Sequence, residues 1–289
     1  MPSLPLSGKT ALVTGVSRRR GIGFAVAARL AALGASVFIH HFRAHDVDQP
    51  WGGDDIEALT EQLRGHLAPG ARLGDRAADL RDPAEIPALL DDAFALTGGV
   101  DILVCNHARS GGDGSLLDMT AERLDEHWQA NGRSVLLLTA EYARRISGVT
   151  PDAALRPGDH VGRRGPFPEP TGRVFWMTSG QIHGAMRGEV AYATSKAALA
   201  GITATAAAEL LDVGIVLNTV NPGPVNTGYL DADSTDRDLS GIEEALARTA
   251  FGRFGRPDDP AHLIGWLATD EGAWIVGQVL TSDGGFSLG

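Results

Sequence analysis

The chain of 289 residues contains one cysteine, Cys105. An intrachain disulfide is therefore excluded, and the composition suits a reducing, cytoplasmic compartment. No apolar run approaches the ~20 residues needed to span a bilayer. The opening residues, MPSLPLSGK, lead straight into a β-prone run, without the charged and then apolar order of a secretory leader. Basic residues are in the minority. Against 36 Asp and Glu stand 25 Lys and Arg, for a formal charge of −11 and a pI near 5.2. Such an acidic surface argues against nucleic acid or an anionic membrane as the main partner. Internal repeats and a linker that would separate a second domain are also missing. His40, His41 and His45 stand close together, but nothing supplies the remaining ligands, so no metal site is expected.

What is present suffices for a full core. With 43% hydrophobic residues, a single α/β domain over 1–289 is the expected organisation. Strands are expected at 11–13, 36–40, 71–77, 100–105, 174–177, 216–220 and 279–282. Between them lie helical patterns. Phe24, Ala27, Ala28 and Ala31 form one stripe closed by Gly34, and further helices are expected at 54–67, 121–146, 190–213 and 257–268. Asp82-Pro83-Ala84-Glu85 offers a cap, a first-turn proline and an acid able to reach back, starting a helix that runs to about 96. Strands alternating with helices imply a parallel sheet covered on both faces. Residues 110–114 read as a surface loop, and 148–172, rich in Pro, Gly and charge, as a long surface excursion. Around 226–255 the chain begins acidic, with Asp231, Asp233, Asp236 and Asp238. That composition suits a substrate lid and, equally, a plain surface loop.

The stretch that carries chemistry is VFWMTSGQIHGAMRGEVAYATSKAAL, from Val174 to Leu199. Tyr192 and Lys196 are four residues apart and share a helix face, and Ser179 stands thirteen residues before the tyrosine, where a strand ends. A phenol titrates near ~10, too high for proton transfer at neutral pH. An ammonium about 5 Å away stabilises the phenolate by roughly 3 kcal/mol at an effective dielectric near 20, or about two pKa units. Taken singly, each feature has a bland reading. A Tyr-x-x-x-Lys pair is commonly a surface pair, and a Ser in a Gly-rich turn is commonly a turn residue. The combination gains meaning from a dinucleotide site upstream.

Residues 10–34 supply one. Gly15, Gly21 and Gly23 fall between a strand and a helix, where they let backbone approach a pyrophosphate at the helix's positive end. A carboxylate about 20 residues beyond the glycines would select a free ribose 2′-hydroxyl. Counting 18 from Gly23 reaches His41, and the first acid is Asp46. Arg18, Arg19, Arg20 and Arg43 suit a phosphate instead, so NADP(H) is favoured and NAD(H) is possible.

With these residues in place the sequence resembles the short-chain dehydrogenase/reductase family over about residues 6–289. The resemblance implies a Rossmann-type, doubly wound parallel α/β sheet of about seven strands with helices on both faces. TGVSRRRGIG matches the family's cofactor loop, bringing Gly15, Ser17, Arg18, Arg20, Gly21, Ile22 and Gly23 to the dinucleotide, with His41 and Arg43 beyond it. Asp79 and Leu80 match the residues beside the adenine. Asn106, His107 and Ala108 match the strand-four signature, and Pro222, Gly223, Val225 and Thr227 the turn flanking the nicotinamide. Asn131, Ser179, Tyr192 and Lys196 match the catalytic tetrad. By that resemblance Tyr192 exchanges the proton and Ser179 holds the substrate oxygen. Lys196 binds the nicotinamide ribose and lowers the tyrosine pKa, while Asn131 anchors a water of the relay. Substrate contacts are expected from Ser179, Gln181, His183, Met186 and Tyr229.

There are departures from the pattern. Five residues separate Gly15 from Gly21 where the family usually has three, as in its enoyl-reductase branch. That branch spaces its tyrosine and lysine further apart than the three intervening residues found here, which favours carbonyl chemistry. The usual Asn-Asn-Ala-Gly reads Cys105-Asn106-His107-Ala108, placing an imidazole beside the nicotinamide. The expected activity is NADP(H)-dependent interconversion of a small-molecule ketone and a secondary alcohol. A non-catalytic NADP-binding sensor or scaffold, or an epimerase or dehydratase that uses the hydride transiently, is the alternative. Helices 121–146 and 190–213 usually build a homotetramer in the family, so a homo-oligomer, tetramer or dimer, is expected.

Overall fold

The structure is a computed structural model that describes residues 3–149, 158–231, 233–234, 241, 244, 246–247 and 249–288. Seven parallel strands make one sheet. They are β1 (Thr10–Val13), β2 (Ser36–His41), β3 (Leu73–Ala77), β4 (Ile102–Cys105), β5 (Gly172–Met177), β6 (Ile215–Asn221) and β7 (Val279–Thr281). Their spatial order is β3-β2-β1-β4-β5-β6-β7, so the winding reverses between β1 and β4. Ligands of open α/β sheets bind at the carboxyl ends of the strands at such a reversal.

Strand side chains alternate between two apolar layers because successive residues point to opposite faces. Ala11, Val13, Ile102, Val104, Phe175 and Met177 pack on one side, against α1 (Ile22–Ala32) and α8 (Asp258–Leu267). α2 (Arg43–Val47) and α3 (Ile56–Arg64) follow β2, and α3 buries Leu59 and Leu63 in the same layer. On the other side Leu12, Leu103, Cys105, Val174 and Trp176 meet α4 (Glu85–Thr97), α6 (Ser134–Ser147) and α7 (Val190–Leu211). Both faces are dry. That is why these strands read as continuous apolar runs instead of alternating ones. Trp176, fully buried, satisfies its indole N–H on Thr139 Oγ1 at 2.9 Å.

Several expectations from sequence are corrected. α4 begins at Glu85, not at Asp82: Asp82 Oδ1 takes the Ala84 N–H at 2.9 Å. Glu85 pairs with Arg76 at 3.3 Å, within hydrogen-bond reach of the guanidinium. The helix expected over 121–146 is two helices, α5 (Ala121–Trp128) and α6, joined by a π-helical turn, Gln129–Arg133. The excursion at 148–172 is tied down where it is described. Arg164 N–H reaches Asp212 O at 2.8 Å, and Arg163 pairs with the Asp212 carboxylate at 3.2 Å. Residues 150–157 lie outside the described residues, as do 232, 235–240, 242–243, 245 and 248 of the expected lid.

Candidate active site

The β1–α1 turn opens at the sheet's reversal. Gly15 has φ +73°, and a Cβ there would stand 2.7 Å from the His107 Cα. Only glycine fits. At the start of α1, Gly21 is an N-cap without a side-chain hydrogen bond, and the first turn holds no acid. The orphan N–H groups and the positive end of the helix are thus left for an anion. Gly15, Ser17, Arg18, Gly21 and Ile22 line a cleft of about 450 Å³ that starts there. Asp79, Leu80, Asn106, His107, Ala108 and Thr227 complete its walls. An uncapped helix terminus, a backbone cradle too tight for side chains and the Arg18 guanidinium fit a dinucleotide pyrophosphate.

Other residues expected at the cofactor lie elsewhere. His41 turns to Asp75 of β3 at 3.3 Å, and it is His40, one residue earlier, that lines the cleft. His40 accepts the Gly15 N–H on Nδ1 at 3.3 Å and donates from Nε2 to Ala78 O at 2.9 Å. Burial pushes its pKa down to about 4, so it stays neutral and keeps that tautomer. Arg20 is exposed and pairs with Asp231 at 2.7 Å, while Arg43 Nε donates to Asp54 O at 2.8 Å. Arg18 bridges Asp46 at 3.2 Å and Thr227 O at 2.7 Å, which fastens the 226–231 segment to the cofactor loop. Gly23 packs behind the loop, too close to Gly15 O for a Cβ. Gly223 rests on Asp283, the residue after Pro222 having φ +65°, and Val225 bridges Gly255.

Near the end of β5 stand the residues expected to handle the proton. Lys196 is 2% exposed and donates to Met177 O at 3.0 Å. Its Nζ lies 5.8 Å from the centroid of the Tyr192 ring. Burial pushes its ammonium down to about 8. Thr178 Oγ1 donates to Lys196 O at 2.9 Å, so strand and helix are stitched together one residue before Ser179. Ser179 Oγ stands 4.0 Å from Met186 Sδ, and the Gln181 amide donates to Thr178 Oγ1 at 3.0 Å. His183 turns away to Thr281 Oγ1 at 2.8 Å. Tyr229 packs edge-on to Trp51, which also lies under Arg18.

Asn131 belongs to the π turn and is fully buried, not directed at solvent. Its Oδ1 accepts the Arg109 N–H at 2.6 Å, and its Nδ2 donates to Arg109 O at 3.1 Å and Ser195 Oγ at 3.0 Å. Ser195 in turn donates to Tyr192 O at 2.7 Å. A chain of hydrogen bonds therefore runs from the turn to the backbone of the tyrosine. The extra residue of a π turn rotates one side chain inward, and such turns concentrate at functional sites. Gly132 was the available signal, a glycine inside a helical pattern, where the Trp128 ring leaves no room for a Cβ. His107 ties the same turn to β1. It contacts Thr14 Oγ1 at 2.7 Å through Nδ1 and Ser134 Oγ at 2.8 Å through Nε2, and burial pushes its pKa down.

Comparison with known proteins finds relatives along nearly the whole chain. The family model described as Enoyl-(Acyl carrier protein) reductase matches residues 15–150 and 161–287, leaving a gap inside the surface excursion. The uncharacterized oxidoreductase YjdA of Bacillus subtilis is 34% identical, covering 97% of this chain and 98% of the relative. An NADPH-dependent aldehyde reductase-like protein of Arabidopsis thaliana chloroplasts is 31% identical, over 99% of this chain and 96% of its own. Among solved structures, the promiscuous reductase LugOII, which catalyses keto-reduction in lugdunomycin biosynthesis, is 32% identical with a TM-score of 0.74. It is matched over 99% of this chain and 100% of its own. A parallel sheet wound both ways, with a cleft at the reversal, is here joined to oxidoreductase relatives matched along nearly their whole length, and the chain is an oxidoreductase. The chain belongs to the short-chain dehydrogenase/reductase family, whose members use NAD(P) and act between CH–OH and C=O groups.

Proposed function

We propose that the protein is an NADP(H)-dependent reductase that interconverts a ketone and a secondary alcohol, with Tyr192 as the acid and base. The reading rests on the buried Lys196 ammonium, 5.8 Å from the Tyr192 ring at the end of β5. At such a separation a positive charge favours the phenolate by about 3 kcal/mol at an effective dielectric near 20. Tyr192 then passes a proton to the carbonyl oxygen within the useful pH range. Ser179 hydrogen-bonds the same oxygen, and Asn131 holds the turn beneath. Gly15, Ser17, Asn106 and Ala108 of the cleft would hold the nicotinamide cofactor, which would supply or accept the hydride.

NADP is preferred over NAD because Arg18 presents a guanidinium in the cleft and β2 closes on His40 and His41, with Phe42 next, none of them an acid. The first carboxylate beyond the strand, Asp46, lines the cleft paired with Arg18. The Arabidopsis relative is described as NADPH-dependent. Three residues between Tyr192 and Lys196 favour carbonyl over enoyl reduction. Leu124, Trp128, Leu137, Ile202 and Leu211 expose 38–40% of their surface on α5, α6 and α7, which supports a homo-oligomer built on these helices. The single, buried Cys105 suits the cytoplasm, and among the described residues no helix is long and apolar enough to cross a membrane.

A panel of ketones, aldehydes and alcohols with both nicotinamides tests the assignment. In Tyr192→Phe, turnover should fall by about 10²–10⁴-fold while NADPH affinity, read by fluorescence titration, stays within about twofold. Unchanged turnover in that variant removes the mechanism. No turnover by the wild type across the panel removes the activity.

A further inference from the structure

Helix α7 carries both Tyr192 and Lys196, yet its own N-cap, Glu189, makes no side-chain hydrogen bond to the first turn. The cap comes from a distant loop. Asp113 lies in the connection between β4 and α5, with its side chain 6% exposed. Its Oδ1 accepts the Ala191 N–H at 3.0 Å, and its Oδ2 the Tyr192 N–H at 2.7 Å. Oδ1 also accepts the Gly114 N–H at 2.7 Å, and the Val190 N–H reaches the Gly114 carbonyl at 3.3 Å. Two consecutive glycines with positive φ, Gly111 at +79° and Gly112 at +64°, turn the chain inward just before it.

Behind the carboxylate stands His127 of α5, fully buried. Its Nδ1 donates to Arg123 O at 2.9 Å, so its Nε2 faces Asp113 Oδ2 at 4.0 Å without a hydrogen-bond partner among the described residues. Asp113 is therefore enclosed between α5 and the first turn of α7. A carboxylate on backbone N–H groups makes charge-assisted bonds, and it sits at the positive end of the helix dipole. First turns fray when uncapped. This one is clamped at the backbone of the tyrosine itself.

We propose that Asp113 is a positioning residue for the reaction. Its carboxylate clamps residues 191 and 192 so that the Tyr192 phenol is held in reacting position beside the end of β5. The inference rests on the reading of Tyr192 as proton donor. It asks no contact with cofactor of Asp113, which does not line the cofactor cleft.

Two variants and two readouts test it. Asp113→Ala removes every acceptor, and Asp113→Asn keeps one amide oxygen. In Asp113→Ala, hydrogen exchange at the amides of 191 and 192 should accelerate by about 10–100-fold, with protection in the later turns of α7 and in the sheet unchanged. With NADPH and 2,3-butanedione, kcat should fall by about 10–100-fold while the KM for NADPH stays within about twofold, since small misplacement of a reacting group has effects of that size. Asp113→Asn should be intermediate in both readouts, and it carries the test if the alanine variant does not fold. Unchanged exchange at 191 and 192 overturns the proposal. So does a kcat within about twofold of wild type, or a loss of NADPH affinity equal to the loss of kcat. Exchange needs no substrate: if the wild type reduces no carbonyl, the functional reading fails while the clamp is still judged.

Discussion

Lys196 keeps an ammonium at 2% exposure, with one carbonyl partner, Met177 O, among the described residues. Such a group is retained against stability. Its pKa in the folded chain is about 8, below the ordinary 10.5. The unfolded chain therefore binds more protons between those values, and stability from this group rises as pH climbs from 8 towards 10.5. Below pH 8 the full penalty applies, on the order of 3 kcal/mol. Lys196→Met should raise the melting temperature at pH 7 by a few degrees, a smaller gain than that penalty implies because Met177 O loses its donor. The same change should lower turnover by about 10²-fold or more. Scanning calorimetry of both proteins at pH 7 and 10 checks the sign, since the gap between them should narrow at the higher pH. Tyr192 and Lys196 were legible as neighbours in sequence because the helix period alone puts them on one face. His41 was not. Neighbouring strand residues face opposite ways, so a count off by one selected the imidazole that meets Asp75 instead of His40.

At the scale of elements, the β1–α1 unit depends on close approach more than on turn conformation. Gly23 is helical, and a Cβ there would meet Asn106 Nδ2 at 2.7 Å as well as the Gly15 carbonyl. That amide donates to Thr14 O and Gly15 O, both at 3.1 Å, locking the turn to β4. Gly23→Ala should weaken NADPH binding by about 100-fold and destabilise the fold by about 1–3 kcal/mol, the usual range for overpacking. Fluorescence titration and urea unfolding measure the two effects separately. The glycine pattern announced this unit from sequence, but the π turn gave weaker notice. Periodicity is nearly the same through α5 and α6, and one inserted residue changes only which side chain points inward. Asp113 went unread for a different reason. A polar, Gly-rich loop looks solvated until the helix it caps, 78 and 79 residues away, is placed against it.

Over the whole molecule, a charge of −11 opposes self-association, and the proposed homo-oligomer rests on the apolar strip exposed along α5, α6 and α7. Between α6 and α7 the strip borders a groove of about 410 Å³ whose walls include Ile202, Ala206 and Trp176. Light scattering after size exclusion should report a dimer or tetramer for the wild type. Leu137→Glu combined with Ile202→Glu should give monomer, because both side chains are 38% exposed and would carry like charges into the contact. A monomeric wild type, or an assembly that survives the double change, moves the interface off these helices.

The amino-acid order by itself determined the strand–helix alternation, the glycine loop and the Ser–Tyr–Lys spacing, since each follows from local periodicity and turn chemistry. Tertiary structure decided the rest. Which histidine faces the cleft, where Asn131 points and what caps α7 depend on register, an inserted residue and a contact between distant segments. Those are settled by packing, which pairs most buried polar groups because leaving them unpaired is unfavourable, and no local pattern encodes them.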